Sequence, residues 1–238
     1  MPRKANIYIG CVLAVAIVVL SVGFLRWECR DLTRYIGCVV LTLLASTFKV
    51  RLPGLPGTFS LGFVFILLGV ADLSFAEIVV MAGGSAAVQC LWRAKKQPQA
   101  IQVLFSVGNL VINTAAAYLA FHFVREHRLA ETLIGSLALA ASVLYVLNTG
   151  LLSIVLALVD GKSVKTMWEH WVVWSFPYYL AGAVVAGTFG LTSRYVDWKS
   201  AALITPLLFL IYFCYRRYAE TPSAELRRLA PSLEIKAA

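Results

Sequence analysis

The chain has 238 residues, 60% of them hydrophobic and only 14% charged, with a formal net charge of +9. Soluble domains carry about 25% charged and about 45–50% apolar residues, so the composition excludes an ordinary water-soluble fold and calls for lipid as solvent. The Lys and Arg residues fall in short stretches between apolar runs, where they orient a chain in a bilayer rather than bind nucleic acid.

A spanning helix needs roughly 20 apolar residues. The runs are rich in Leu, Ala and Gly and lack two-residue alternation, so they predict helices and not barrel strands. The fold class expected is therefore all-α: a polytopic transmembrane bundle filling residues 1–218, followed by a short polar cytoplasmic tail over residues 219–238. The first segment, Ala5–Leu25, follows the basic Arg3 and Lys4. It is longer than a signal h-region of roughly 7–15 residues and lacks an A-x-A-like cleavage site, so it reads as a retained helix.

The second and third segments, Tyr35–Phe48 and Phe59–Ala71, are short. Fourteen residues span about 21 Å, less than the roughly 30 Å hydrocarbon core. Between them lies KVRLPGLPGTFSL. The pair either crosses by borrowing loop residues or forms a re-entrant hairpin, so the span count is six to eight.

Next come Phe75–Trp92, Gln99–His122 and Glu131–Val159. The last of these is about 43 Å long as one straight helix and must tilt, protrude or break. Asn148-Thr149-Gly150 is the expected break. Trp168–Gly190, with Pro177 as a kink, and Ser200–Tyr218, with Pro206, complete the eight segments.

With eight crossings and the N-terminus inside, the inner stretches hold fourteen Lys and Arg residues and the outer ones seven. That bias places both termini on the cytoplasmic side of the membrane.

The fifth segment carries the strongest candidate constellation. Gln102, Ser106, Asn109 and Asn113 fall on one helical face. A polar stripe on a spanning helix faces protein or water. It is either interhelical hydrogen-bond glue or one wall of a ligand pocket. Asn and Gln each offer a donor and an acceptor, which suits a neutral ligand. Gln89, Asn148, Trp174 and Tyr178 extend the candidate pocket to the fourth, sixth and seventh segments. The aromatic face Trp168, Trp171, Trp174 and Tyr178 also reads as an interfacial belt. Asp72 and Glu77 sit at a helix edge, where Asp72-Leu73-Ser74 forms a turn with a cap for the next helix.

Chemistry is sparse elsewhere. His122, Glu126 and His127 do not have the H-E-x-x-H zinc spacing. The five cysteines show neither metal-ligand nor disulfide-framework spacing. No Ser–His–Asp or paired-carboxylate site emerges. The expectation is a non-enzyme with no metal and no cofactor.

The stretches FKVRLPGLPGTFSLGFVFILLGVADLSFAEIVVMAGGSAAVQCLWRAKKQPQAIQVLFSVGN, YVLNTGLLSIVLALVDGKSVKTMWEHWVVWSFPYYLAG and TPLLFLIYFCYRRY resemble a bacterial membrane-associated sensor domain of the MASE type. The resemblance covers the chain from about Phe48 to Tyr218. It implies a sensory input module for cyclic-di-GMP signalling, of the kind that precedes GGDEF or HD-GYP output domains. Here the last segment runs into YRRYAETPSAELRRLAPSLEIKAA, so the expectation is a stand-alone sensor, a truncated relative, or a partner of a separate cytoplasmic output protein or of a second copy of itself. The chain departs from the family pattern at Ser106, where an Asn is expected. A second resemblance, to the substrate-binding subunits of energy-coupling-factor vitamin transporters, implies the alternative of small-solute binding or transport.

Overall fold

The computed structural model describes residues 2–25, 27–29, 31–51, 58–94, 97–161 and 163–195. Within these, side chains are described except at 50, 51, 58, 59, 166–175, 177, 178 and 192–195. The expected eighth segment, the tail and Cys214 lie outside the described residues.

Seven helices form the described chain: α1 (Arg3–Leu25), α2 (Leu32–Thr47), α3 (Gly62–Asp72), α4 (Phe75–Leu91), α5 (Ala100–Glu126), α6 (Leu133–Asp160) and α7 (Val164–Tyr195). Three of them, α1, α5 and α6, are long and apolar enough to cross a membrane. Between α2 and α3 the strands β1 (Lys49–Arg51) and β2 (Thr58–Ser60) pair antiparallel, Lys49 opposite Ser60 and Arg51 opposite Thr58. Sequence patterning missed this hairpin and began the third helix at Phe59. Three-residue strands are too short to show an alternation.

The helix ends are set by local chemistry. Asp31 accepts from the Arg34 N–H and caps α2. Ser74 and Glu77 form a reciprocal capping box that starts α4, as the Asp72-Leu73-Ser74 turn predicts. Thr132 caps α6 and Gly161, in the left-handed region at φ 67°, closes it.

α3 is the axis of the bundle. All nine residues from Gly62 to Val70 are buried, and α2, α4, α5, α6 and α7 pack around the helix. A helix apolar on every side is stable only when enclosed in this way. Close approach depends on small residues. A Cβ at Gly62 would collide with the Ser46 hydroxyl, and one at Gly182 would run into the Phe63 ring.

The short α2 and α3 are tied at both ends. At one end Lys49 donates to the Trp92 carbonyl at the close of α4, and Ser60 donates to Gln89. At the other, Arg34 near the start of α2 pairs with Asp72 at the end of α3, 2.7 Å apart. α3 covers only about 16 Å as helix, and the extended β2 supplies the rest at about 3.3 Å per residue.

α6 is unbroken through Asn148, Thr149 and Gly150, which corrects the expected break. The polar pair does not compete with the helical ladder. The Thr149 hydroxyl bonds back to the Tyr145 carbonyl at 2.8 Å, and the Asn148 amide bonds other helices.

Candidate functional site

The most polar part of the bundle interior joins α5, α6 and α7. Asn109 and Asn113 lie one turn apart on α5 and face Asn148 on α6. Asn109 Nδ2 donates to Asn148 Oδ1 at 2.6 Å. Asn113 Nδ2 donates to Asn109 Oδ1 at 3.1 Å and to Asn148 Oδ1 at 3.3 Å. Asn148 Nδ2 in turn donates to the Tyr179 hydroxyl at 3.1 Å. Asn148 is thus the hub of a directed network across three helices.

Burial deepens towards α5. Asn113 is fully buried, Asn109 is 6% exposed and Asn148 is half-buried. Tyr179 is buried too, its ring 5.1 Å from Phe63 of α3 and 5.1 Å from Tyr145 of α6. Apolar packing fixes the phenol, and the phenol fixes the Asn148 amide. Every member of the cluster is neutral, so the site carries no formal charge.

One acceptor is left over. Among the described residues, Asn113 Oδ1 is buried and has no hydrogen-bond partner. The Thr114 and Ser153 hydroxyls are also buried without partners. A hydroxyl on a helix needs only a rotamer change to reach the carbonyl four residues back. Thr42, Ser46 and Ser142 do so here. Asn113 Oδ1 has no such route, because it can only accept and a backbone carbonyl offers it no donor.

The other candidate residues lie elsewhere. Gln89 accepts from Ser60 of β2 at 3.1 Å. Gln102 is exposed at the start of α5, where its side chain accepts from the Gln99 N–H in a capping box. Ser106 bonds back to the Gln102 carbonyl at 2.9 Å. The expected stripe is therefore split: its upper two residues join the cluster, and its lower two serve their own helix. The side chains of Trp174 and Tyr178 lie outside the described residues. Tyr179 is the residue that sequence reading missed. Tyr179, Ala183 and Ala186 are all buried. Their i, i+4, i+7 spacing was the available signal for the inward face of α7.

The opposite end of α4 holds a second polar group. The Glu77 carboxylate is 4% exposed and accepts from the Ser74 N–H at 2.8 Å. In the α1–α2 connection, the neighbouring Glu77 carboxylate pushes the thiol pKa of the exposed Cys29 above the ordinary value, as a hydrogen-bonding partner first and then by its charge. Among the described residues, no group of three or more His, Cys, Asp or Glu side chains could hold a metal ion.

No protein-family model, curated protein or solved structure matches this chain.

Proposed function

We propose that the chain is a multi-pass protein of a bacterial inner membrane that binds a small neutral molecule within its helices and acts as a sensory input. The observation that carries this reading is the buried amide cluster of Asn109, Asn113 and Asn148. It sits in an otherwise apolar interior and keeps one acceptor without a partner among the described residues.

Amides in hydrocarbon-facing helices are expensive unless paired. Burying each without a partner costs about 1–3 kcal/mol on mutational scales. Helix association alone requires no leftover acceptor, whereas recognition does. The three long apolar helices support membrane insertion. Arg3, Lys4, Lys49 and Arg93 lie towards one end, and Asp31, Arg34, Asp72 and Glu77 towards the other. By the Lys/Arg bias the first end is cytoplasmic. The MASE-type resemblance gives the sensory reading its biological setting: the chain would pass a signal to a separate cyclic-di-GMP output protein or to a second copy of itself. On this reading it has no catalytic residue, metal or cofactor of its own, and six to eight spans.

The test is a thermal-shift screen of detergent-purified protein against small neutral metabolites. It is repeated with Asn109→Leu and Asn113→Leu. The expected result is a compound whose stabilisation is abolished by either change while the fold survives. A compound whose stabilisation survives both changes places its site elsewhere and refutes the reading. Ligand uptake by cells that depends on an energy-coupling ATPase would instead favour the solute-transport alternative.

A further inference from the structure

We infer that the ligand binds as a hydrogen-bond donor, through an uncharged hydroxyl or amino group given to Asn113 Oδ1. The inference deepens the ligand-binding reading above and rests on it.

The polarity of the amide network leads there. Asn113 Nδ2 donates to two carbonyl oxygens, those of Asn109 and Asn148. Turning the Asn113 amide around alone would set three carbonyl oxygens against one another. Its own oxygen is therefore directed away from the cluster for as long as its two neighbours keep their orientation. Those neighbours are held in turn, since Asn148 Nδ2 donates to the hydroxyl of Tyr179, whose ring packs against Phe63 and Tyr145. The reversed network, with all three amides turned together, would require Tyr179 to donate to Asn148. It would present an amino group at Asn113 in place of the oxygen. Buried orphan donors are rarer than buried under-satisfied carbonyls, so the observed polarity is the better resting state.

An acceptor at this depth selects for donors. A compound bringing only ether or ketone oxygens would meet the Asn113 oxygen with a like partial charge. A cation would donate well, but the cluster has no carboxylate to offset its desolvation, and an unpaired buried charge is far more expensive than a neutral group. The fit is a neutral alcohol or amine. Full burial of Asn113 limits the entering group to a small one.

The experiment uses the full chain in lipid nanodiscs with 13C-labelled asparagine side-chain carbonyls. Infrared spectra are taken with and without probe, and the part of the probe-induced change that Asn113→Leu abolishes is assigned to the Asn113 carbonyl, since that substitution also takes the donor away from Asn109 and Asn148. Asn113→Ser serves the same subtraction if the Leu variant does not fold. The probes are alcohols from methanol to cyclohexanol, each matched with its ether or ketone. The expected Asn113 band starts at the frequency of an unbonded amide carbonyl. It should move to lower frequency with at least one alcohol and stay in place with the matched acceptors. A band already at the bonded position without probe means that a resident water or another part of the chain holds the acceptor, and overturns the inference. So does movement with a ketone or ether, or no movement with any alcohol. The two failures are distinguishable. A metabolite whose stabilisation needs Asn109 and Asn113 but leaves the Asn113 band unmoved sinks the donor inference and keeps the sensory reading. An alcohol-shifted band with no stabilising metabolite does the reverse.

Discussion

Replacing Asn148 with Leu removes the hub of the interhelical network. Three hydrogen bonds end on this side chain, two received and one given. Interhelical side-chain bonds in membranes average about 0.6 kcal/mol, with a maximum near 1.7 kcal/mol. Three such bonds come to about 2 kcal/mol, a roughly thirtyfold change in the unfolding constant. Tyr179→Phe keeps the ring beside Phe63 and Tyr145 and loses the bond from Asn148, which is worth about 0.6 kcal/mol. Reversible unfolding in mixed micelles measures both. A double-mutant cycle of Asn109→Leu with Asn148→Leu then isolates the 2.6 Å bond between them. An Asn148→Leu cost no larger than that of Tyr179→Phe, or a cycle with no coupling, would refute the assignment of Asn148 as hub.

Cys29 should react slowly with a membrane-impermeant maleimide at neutral pH, because Glu77 raises its pKa and lowers its thiolate fraction. Its labelling rate should climb only at higher pH than that of an unpartnered thiol. Glu77→Gln, which can still complete the capping box, should speed labelling, and an unchanged rate would count against the Cys29–Glu77 bond. Gly182→Val should destabilise the bundle by about 1–3 kcal/mol through overpacking against Phe63. The same change at Gly10, which meets nothing within 4 Å, should be close to neutral in the same unfolding assay. A C-terminal alkaline phosphatase fusion should be inactive and a C-terminal fluorescent protein bright, as the Lys/Arg bias requires, and the opposite pattern would invert the topology.

The long elements were legible because their signals are local. The apolar run from Ala5 to Leu25 is a helix in the structure, and the turn before Phe75 starts α4 where its capping residues stand. Helix-face arithmetic also paired Asn109 with Asn113 correctly. The remaining site features depend on tertiary placement. Asn148 spends its side chain on other helices and Thr149 bonds back within an intact turn, and neither outcome can be read from the run itself. Tyr178 and Tyr179 differ by one residue but by about 100° around the axis, and the regular Trp spacing pointed to Tyr178, whose side chain lies outside the described residues, and not to Tyr179. Gln102 looked like a continuation of the stripe because periodicity does not distinguish a residue in the first helical turn from one at mid-bundle.

The enclosure of α3 has a mechanical consequence. Its described neighbours leave it no annular lipid, whereas α1 and α2 turn Ile17, Val18, Ile36 and Val40 outward. In the membrane setting proposed above, changes in bilayer thickness or lateral pressure would act on the rim first and reach the axis through side-chain contacts. Phe63 is one such contact, linking the axis to Tyr179 and so to the amide network. Densely packed interiors shift between discrete arrangements rather than deforming smoothly. Tension in the surrounding lipid would then reach Asn113 as a step, after the rim has yielded, and not as a graded strain.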